Sequence, residues 1–109
     1  MTGSGGFGDI GSLLRQAQKM QREVRRVQDE LREKVVEGTS GGGAVKATVN
    51  GAKEVVAVKI QKEVVDPNDP GMLEDLIVAA IGVAMKKADE MQKAEMEKVT
   101  GGLSIPGLF

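Results

Sequence analysis

The 109-residue chain has no cysteine, histidine, tryptophan or tyrosine, and its only aromatic residues are Phe7 and Phe109. Without cysteine there are no disulfides and no thiolate metal sites, which suits the cytoplasm. Without histidine, most zinc chemistry and the usual neutral-pH general base are missing too. The apolar core must then be Val, Leu, Ile, Met and Ala. Single-stranded nucleic acid is a poor partner, because stacking platforms need aromatic side chains along a groove.

Long apolar runs are absent as well. No stretch reaches the roughly 18 residues that span a bilayer, and the Gly-rich start lacks the basic segment and apolar block of a signal peptide. The expectation is a cytoplasmic chain with no membrane contact. The glycines at 3, 5 and 8 fit G-x-G-x-x-G, but no strand precedes them, so no dinucleotide site is expected. Gly41-Gly42-Gly43 lacks the Lys and Ser/Thr of a P-loop and opens a strand. Carboxylate pairs such as Glu74 with Asp75, or Asp89 with Glu90, fall on exposed helix faces and suggest neither metal nor acid-base chemistry. No enzyme activity, cofactor, metal or small-molecule substrate is expected.

What the chain does have is a long helical stretch, residues 9 to about 37, with two different flanks. Leu13, Ala17, Met20, Val24, Val27 and Leu31 alternate in steps of four and three, the spacing of an apolar seam that lies on a partner surface. Arg15, Lys19, Arg22 and Arg26 follow the same alternation two residues out of phase and line the opposite side. Net charge is −1, yet residues 12–28 carry +4, which leaves −5 for the rest. Attraction to a polyanion is therefore local.

The order of charges opposes the backbone. A helix dipole favours acids in its first turns and bases in its last, whereas here the bases precede Asp29, Glu30, Glu33 and Glu37. Arg15 beside Lys19, and Arg22 beside Arg26, are like-charge neighbours costing roughly 0.2–0.5 kcal/mol each. Asp29 and Glu30 can partly neutralise Arg25 and Arg26, so the uncompensated group is Arg15, Lys19 and Arg22. The alternatives are a solvated helix face and a site for an external anion.

Beyond the helix the period changes. Residues 33–38 predict a first strand growing out of the helix end, with a Gly-rich loop at 39–43. Strands at 44–49 and 52–60 flank Asn50-Gly51, a strong hairpin signal. That turn pairs Val49 with Ala52, Ala47 with Glu54 and Val45 with Val56. Val45, Ala47, Val49, Val56, Val58 and Ile60 then share one face, expected to be covered by a helix. The DPNDP cluster at 66–70 offers Asp69 as a cap and Pro70 at the first helical position. A helix over 71 to about 99 follows, with Met72, Leu73, Leu76, Ile77, Ala80, Ile81, Ala84, Met85 and Ala88 as its apolar stripe. Two helices near 43 Å in length overhang a globule whose radius of gyration would be near 13 Å. Dimerisation, with apolar seams meeting, is the economical solution.

The expected architecture is α+β: a flexible leader at 1–8, one α-β-β-β-α domain at 9–102 and a short apolar tail at 103–109. It has a long N-terminal helix, a three-stranded antiparallel meander and a long C-terminal helix. The seam for core and dimer contacts comprises Leu13, Met20, Val24, Val27, Leu31, Leu76, Ile77 and Ile81.

This order, together with LLRQAQKMQ (13–21), GTSGGGAVKATVNGAKEVVAVKI (38–60), MLEDLIVAAI (72–81) and KADEMQKAEMEKVTGG (87–102), resembles the YbaB/EbfC nucleoid-associated protein family. The resemblance implies an intertwined bacterial homodimer with projecting helices, located at the nucleoid, that binds duplex DNA with little sequence preference. It implies Arg15, Lys19, Arg22 and Arg26 as DNA contacts, and Lys86, Lys87 and Lys93 as a secondary set. The alternative is a scaffold whose long helices dock a protein of the replication or recombination machinery.

Overall fold

The computed structural model describes residues 3–101, with side chains from residue 9 onward. Helix α1 (Gly3–Glu33) leads into strands β1 (Val35–Ser40), β2 (Val45–Asn50) and β3 (Val55–Ile60), and helix α2 (Pro70–Thr100) closes the order. Short 3-10 turns occupy Gly41–Gly43 and Lys62–Val64. The three strands form one antiparallel sheet in sequence order. This is the α+β arrangement expected, drawn out to 81 × 21 × 17 Å with a radius of gyration of 21.2 Å.

The first helix starts at Gly3, inside the stretch expected to precede it, and stops at Glu33, earlier than expected. Val35 and Val36 are β-branched and fit the pleated surface better than a helix end. They pair with Asn50 and Val49, so residues 35–37 belong to the sheet. The carbonyls freed at the helix end are taken by the second hairpin. Gly51 N–H is shared between Leu31 O at 2.8 Å and Lys34 O at 2.9 Å.

That bond explains why the Asn50-Gly51 hairpin has a different register from the one expected. Its turn is not the two-residue type: Lys53 N–H bonds Asn50 O at 2.9 Å, Asn50 N–H bonds Glu54 O at 3.0 Å, and Lys53 takes the left-handed conformation at φ 65°. The observed partners are Val45 with Ile60, Ala47 with Val58 and, past a bulge, Val49 with Val55. Gly51 serves close approach: a Cβ there would lie 2.6 Å from Leu31 Cδ2 and 2.7 Å from Leu31 O. The buried Asn50 side chain locks the turn, its Oδ1 accepting from Ala52 N and Glu54 N and its Nδ2 donating to Glu54 Oε1.

Helix α2 begins as the sequence implies. Asp69 Oδ1 accepts Met72 N–H at 3.2 Å, and Pro70 stands at the first helical position. Its apolar stripe covers β1 and β2. Val45, Ala47, Val49, Ala80, Ala84 and Ala88 form one buried cluster, with Leu76, Ile77 and Ile81 half-buried at its margin. Small residues allow the layers to close tightly. An added Cβ at Gly38 would run into Ala80 O and Ala84 N, so helix and strand touch there backbone to backbone.

Strand β3 is a correction to the expected core. Val58 and Ile60 stand opposite the buried Ala47 and Val45, hence on the face that α2 covers. The helix lies over β1 and β2 and does not reach across, leaving Val55, Val56, Val58 and Ile60 between 37% and 52% exposed.

The second half of α2 turns to a different task. Met96 packs with Val24, Val27 and Leu31 in a second buried cluster flanked by Met20, Met91 and Val99. The C-terminal part of the α1 seam, expected to serve core and dimer contacts, is thus filled by the same chain. Leu13 remains 62% exposed. Only the N-terminal half of α1 overhangs; α2 ends alongside it.

Replacing Gly38 by Ala should force the two layers apart. The expected loss is at least about 1–3 kcal/mol, seen as a lower thermal midpoint by circular dichroism with helix content retained.

Candidate nucleic-acid interface

The basic stripe lies on the exposed flank of α1, with Arg15 on the overhanging half and Lys19, Arg22 and Arg25 on the part that runs beside the end of α2. Arg15, Lys19, Arg22 and Arg25 are all exposed, and among the described residues none takes part in an ion pair. Ten residues separate the first from the last, roughly 15 Å of helix. The first turn of α1 holds no acid.

Arg26 differs from the other three residues with which it was grouped. Its guanidinium donates to Glu23 Oε2 at 2.6 Å and to Glu30 Oε1 at 2.8 Å. Arg26 first, with smaller contributions from Lys19 and Arg22, holds the Glu23 carboxyl below its ordinary 4.5, and the two carboxylates raise the arginine in return. Asp29, expected to neutralise Arg25 or Arg26, instead accepts from Arg32 at 2.8 Å. Arg25 is therefore left unpaired in place of Arg26. Sequence offered one hint: Asp29 has Arg32 three residues on as well as Arg25 four back, so it could serve only one of them well.

The secondary lysines are mostly engaged. Lys87 Nζ donates to Glu37 O at 2.9 Å, and Lys93 pairs with Asp89 at 3.0 Å. Asp89 also binds Lys53 at 2.7 Å, tying the hairpin turn to α2. Lys86 is exposed and has no ion pair among the described residues. These three lie on the body, away from the arm.

A groove of about 530 Å³ runs where α2 ends against α1, lined by Lys19, Met20, Arg26, Val27, Glu95 and Val99 among others. Its floor is apolar. Glu95 in its wall is paired with Lys98 at 3.2 Å and Lys34 at 3.4 Å, and Lys98 first holds its carboxyl below 4.5. This mixture suits a side-chain seam better than a phosphate. No described helix is long and apolar enough to cross a membrane.

The Asp89 carboxyl is held below its ordinary 3.8 by Lys53 first and then Lys93. A depressed carboxyl stabilises the fold above its unfolded value, and that contribution disappears as pH falls through the folded value. Asp89→Asn should therefore lower the melting temperature most at neutral pH, with the gap from the parent chain closing below about pH 4. Thermal melts across pH 3–7 (roughly the carboxylate range) test this.

Comparison with other proteins gives the family and the fold. A nucleoid-associated protein of Acetivibrio thermocellus is 56% identical, the match covering 96% of this chain and 97% of that one. Another from Caldanaerobacter subterraneus is 54% identical over 96% of this chain and 94% of its own length. The crystal structure of an uncharacterized Helicobacter pylori protein, HP0035, shares the fold with a TM-score of 0.71 over 87% of this chain and 97% of that one, at 23% identity. Residues 6–103, taking in the arm, the sheet and α2, match the YbaB/EbfC DNA-binding family, and the chain belongs to it.

Proposed function

We propose that this protein is nucleoid-associated in the cytoplasm and grips duplex DNA by its phosphates, through Arg15, Lys19, Arg22 and Arg25 on the α1 arm, with little sequence preference and no catalytic step. The observation that carries this is the set of four exposed bases on a projecting helix, none ion-paired among the described residues. Keeping like charges together on one flank of a helix costs free energy. A polyphosphate offsets that cost by supplying the missing anions. Phosphate contacts fix position without reading bases, hence the low selectivity. Membership of a DNA-binding family, and relatives named for the nucleoid, support the same reading. Arg26 is a weaker contact because Glu23 and Glu30 hold it.

The working unit in this proposal is a homodimer joined through β3. Its exposed Val55, Val56, Val58 and Ile60 form an apolar strip on an edge strand, the kind of surface that a second copy covers. Two arms then project from one body. Eight bases give a slope of log affinity against log salt of at most about −7. Docking of a replication or recombination protein on apolar helix faces would lack that steep dependence.

Lys19→Glu with Arg22→Glu should abolish the mobility shift of duplex DNA while sedimentation still reports the parent's mass. An unaltered shift would move the site off this arm. Separately, Val58→Asp with Ile60→Asp should convert the dimer to a folded monomer whose salt slope is about half the parent's, as expected when four phosphates are contacted in place of eight.

A further inference from the structure

Asn50-Gly51 carries covalent chemistry of its own. The backbone nitrogen that follows an asparagine can attack its side-chain carbonyl carbon, and where the next residue is glycine no side chain obstructs the approach. A bond forms between Gly51 N and Asn50 Cγ. The side-chain nitrogen leaves as ammonia, taking the proton that Gly51 N gives up, and a cyclic succinimide remains. Water then opens the ring at either carbonyl. One opening leaves aspartate, the other isoaspartate, in which the main chain runs through Cβ and Cγ; in sum, asparagine and water become an acid and ammonia.

The folded chain immobilises both reacting groups. Gly51 N–H is donated to Leu31 O at 2.8 Å and to Lys34 O at 2.9 Å. Asn50 is 4% exposed, its Oδ1 accepting from Ala52 N and Glu54 N at 3.0 Å each and its Nδ2 donating to Glu54 Oε1 at 2.9 Å. Attack requires stripping the proton from Gly51 N and turning the Asn50 side chain. Each of these breaks bonds at the junction between α1 and the β2–β3 hairpin. Nor can a more inert pair take these positions at no cost: a Cβ at 51 would lie 2.6 Å from Leu31 Cδ2, and Asn50 supplies the side-chain bonds that close the turn.

We infer that Asn50 is a deamidation site held shut by the docking of α1 on the hairpin, and that its conversion unfastens the arm irreversibly. In the aspartyl product a carboxylate oxygen replaces the donor to Glu54, so two anions meet where Asn50 and Glu54 now bond. In the isoaspartyl product an extra methylene enters the main chain just before Gly51. It adds about 1.5 Å of chain and carries the Gly51 N–H off the helix carbonyls, which are left without their donor. Ammonia is lost to solvent, so the change does not reverse.

The test is incubation of the full chain at mildly alkaline pH, folded in buffer or unfolded in guanidinium chloride, followed by peptide mass analysis and labelling with an isoaspartyl methyltransferase. Unfolded chains should convert at Asn50 well before Asn68, the only other asparagine, which precedes Asp69. Folded chains should convert at least about a hundredfold more slowly, equivalent to an opening free energy of about 2.8 kcal/mol. The converted chain, refolded and separated by anion exchange, should be cut by trypsin after Arg32 and Lys34 under conditions that spare the parent there. Asn50→Asp, which supplies the aspartyl product alone, should melt at a lower temperature than the parent. Equal rates in folded and unfolded chains would overturn the protection, and an unfolded chain that keeps its amide would overturn the site. A converted chain with the parent's trypsin pattern would overturn release of the arm. None of these readouts involves DNA, so the result is independent of the ligand proposed for the arm.

Discussion

The bond that fixes the working geometry of this molecule is the one from Gly51 N–H to the end of α1. A helix leaves its last carbonyls without partners, and here two of them, on Leu31 and Lys34, share a single donor at the tip of the β2–β3 hairpin. The arm is thereby fastened to the sheet at its base. Any side chain at position 51 would strike Leu31, so the contact needs glycine for space and not for an unusual φ. Asn50, buried and bonded to Ala52 and Glu54, holds the tip in shape. The direction in which the bases point away from the body follows from this junction.

The charges on the arm show how few side chains decide whether a stripe is open or closed. Glu23 sits among Lys19, Arg22 and Arg26 and can satisfy only part of that company. It bonds Arg26, leaving Lys19 without an ion partner among the described residues. Asp29 bonds Arg32 and so leaves Arg25 unpaired among the described residues. The exposed pairs themselves contribute little to stability. Their effect is to determine which cations remain available.

Much of this was legible in the sequence because it depends on local periodicity and end signals. The heptad alternation located α1, the Asp69-Pro70 pair located the start of α2, and alternating Val and Ala located β2. The basic stripe could be found for the same reason. What escaped were features decided between elements. Asn50-Gly51 announces a tight hairpin by its own conformational preference, but docking on the helix end imposed a longer turn and a bulge at Thr48/Val49. Val58 and Ile60 have the pattern of covered residues, yet coverage depends on how far α2 reaches across the sheet. Competition for Asp29 involves two arginines at similar spacing, which periodicity cannot rank. Val24, Val27 and Leu31 read as a seam in search of a partner, and the partner turned out to lie about seventy residues farther along the same chain, at Met96.

Helix α2 contributes to both buried clusters, with Ala80, Ala84 and Ala88 in one and Met96 in the other. No other element has that double membership. The two clusters are consequently not separate foldons: an opening that lifts α2 off the sheet strips the base of the arm in the same event. A small protein with two cores can then melt as one cooperative unit, because one continuous rod links them mechanically.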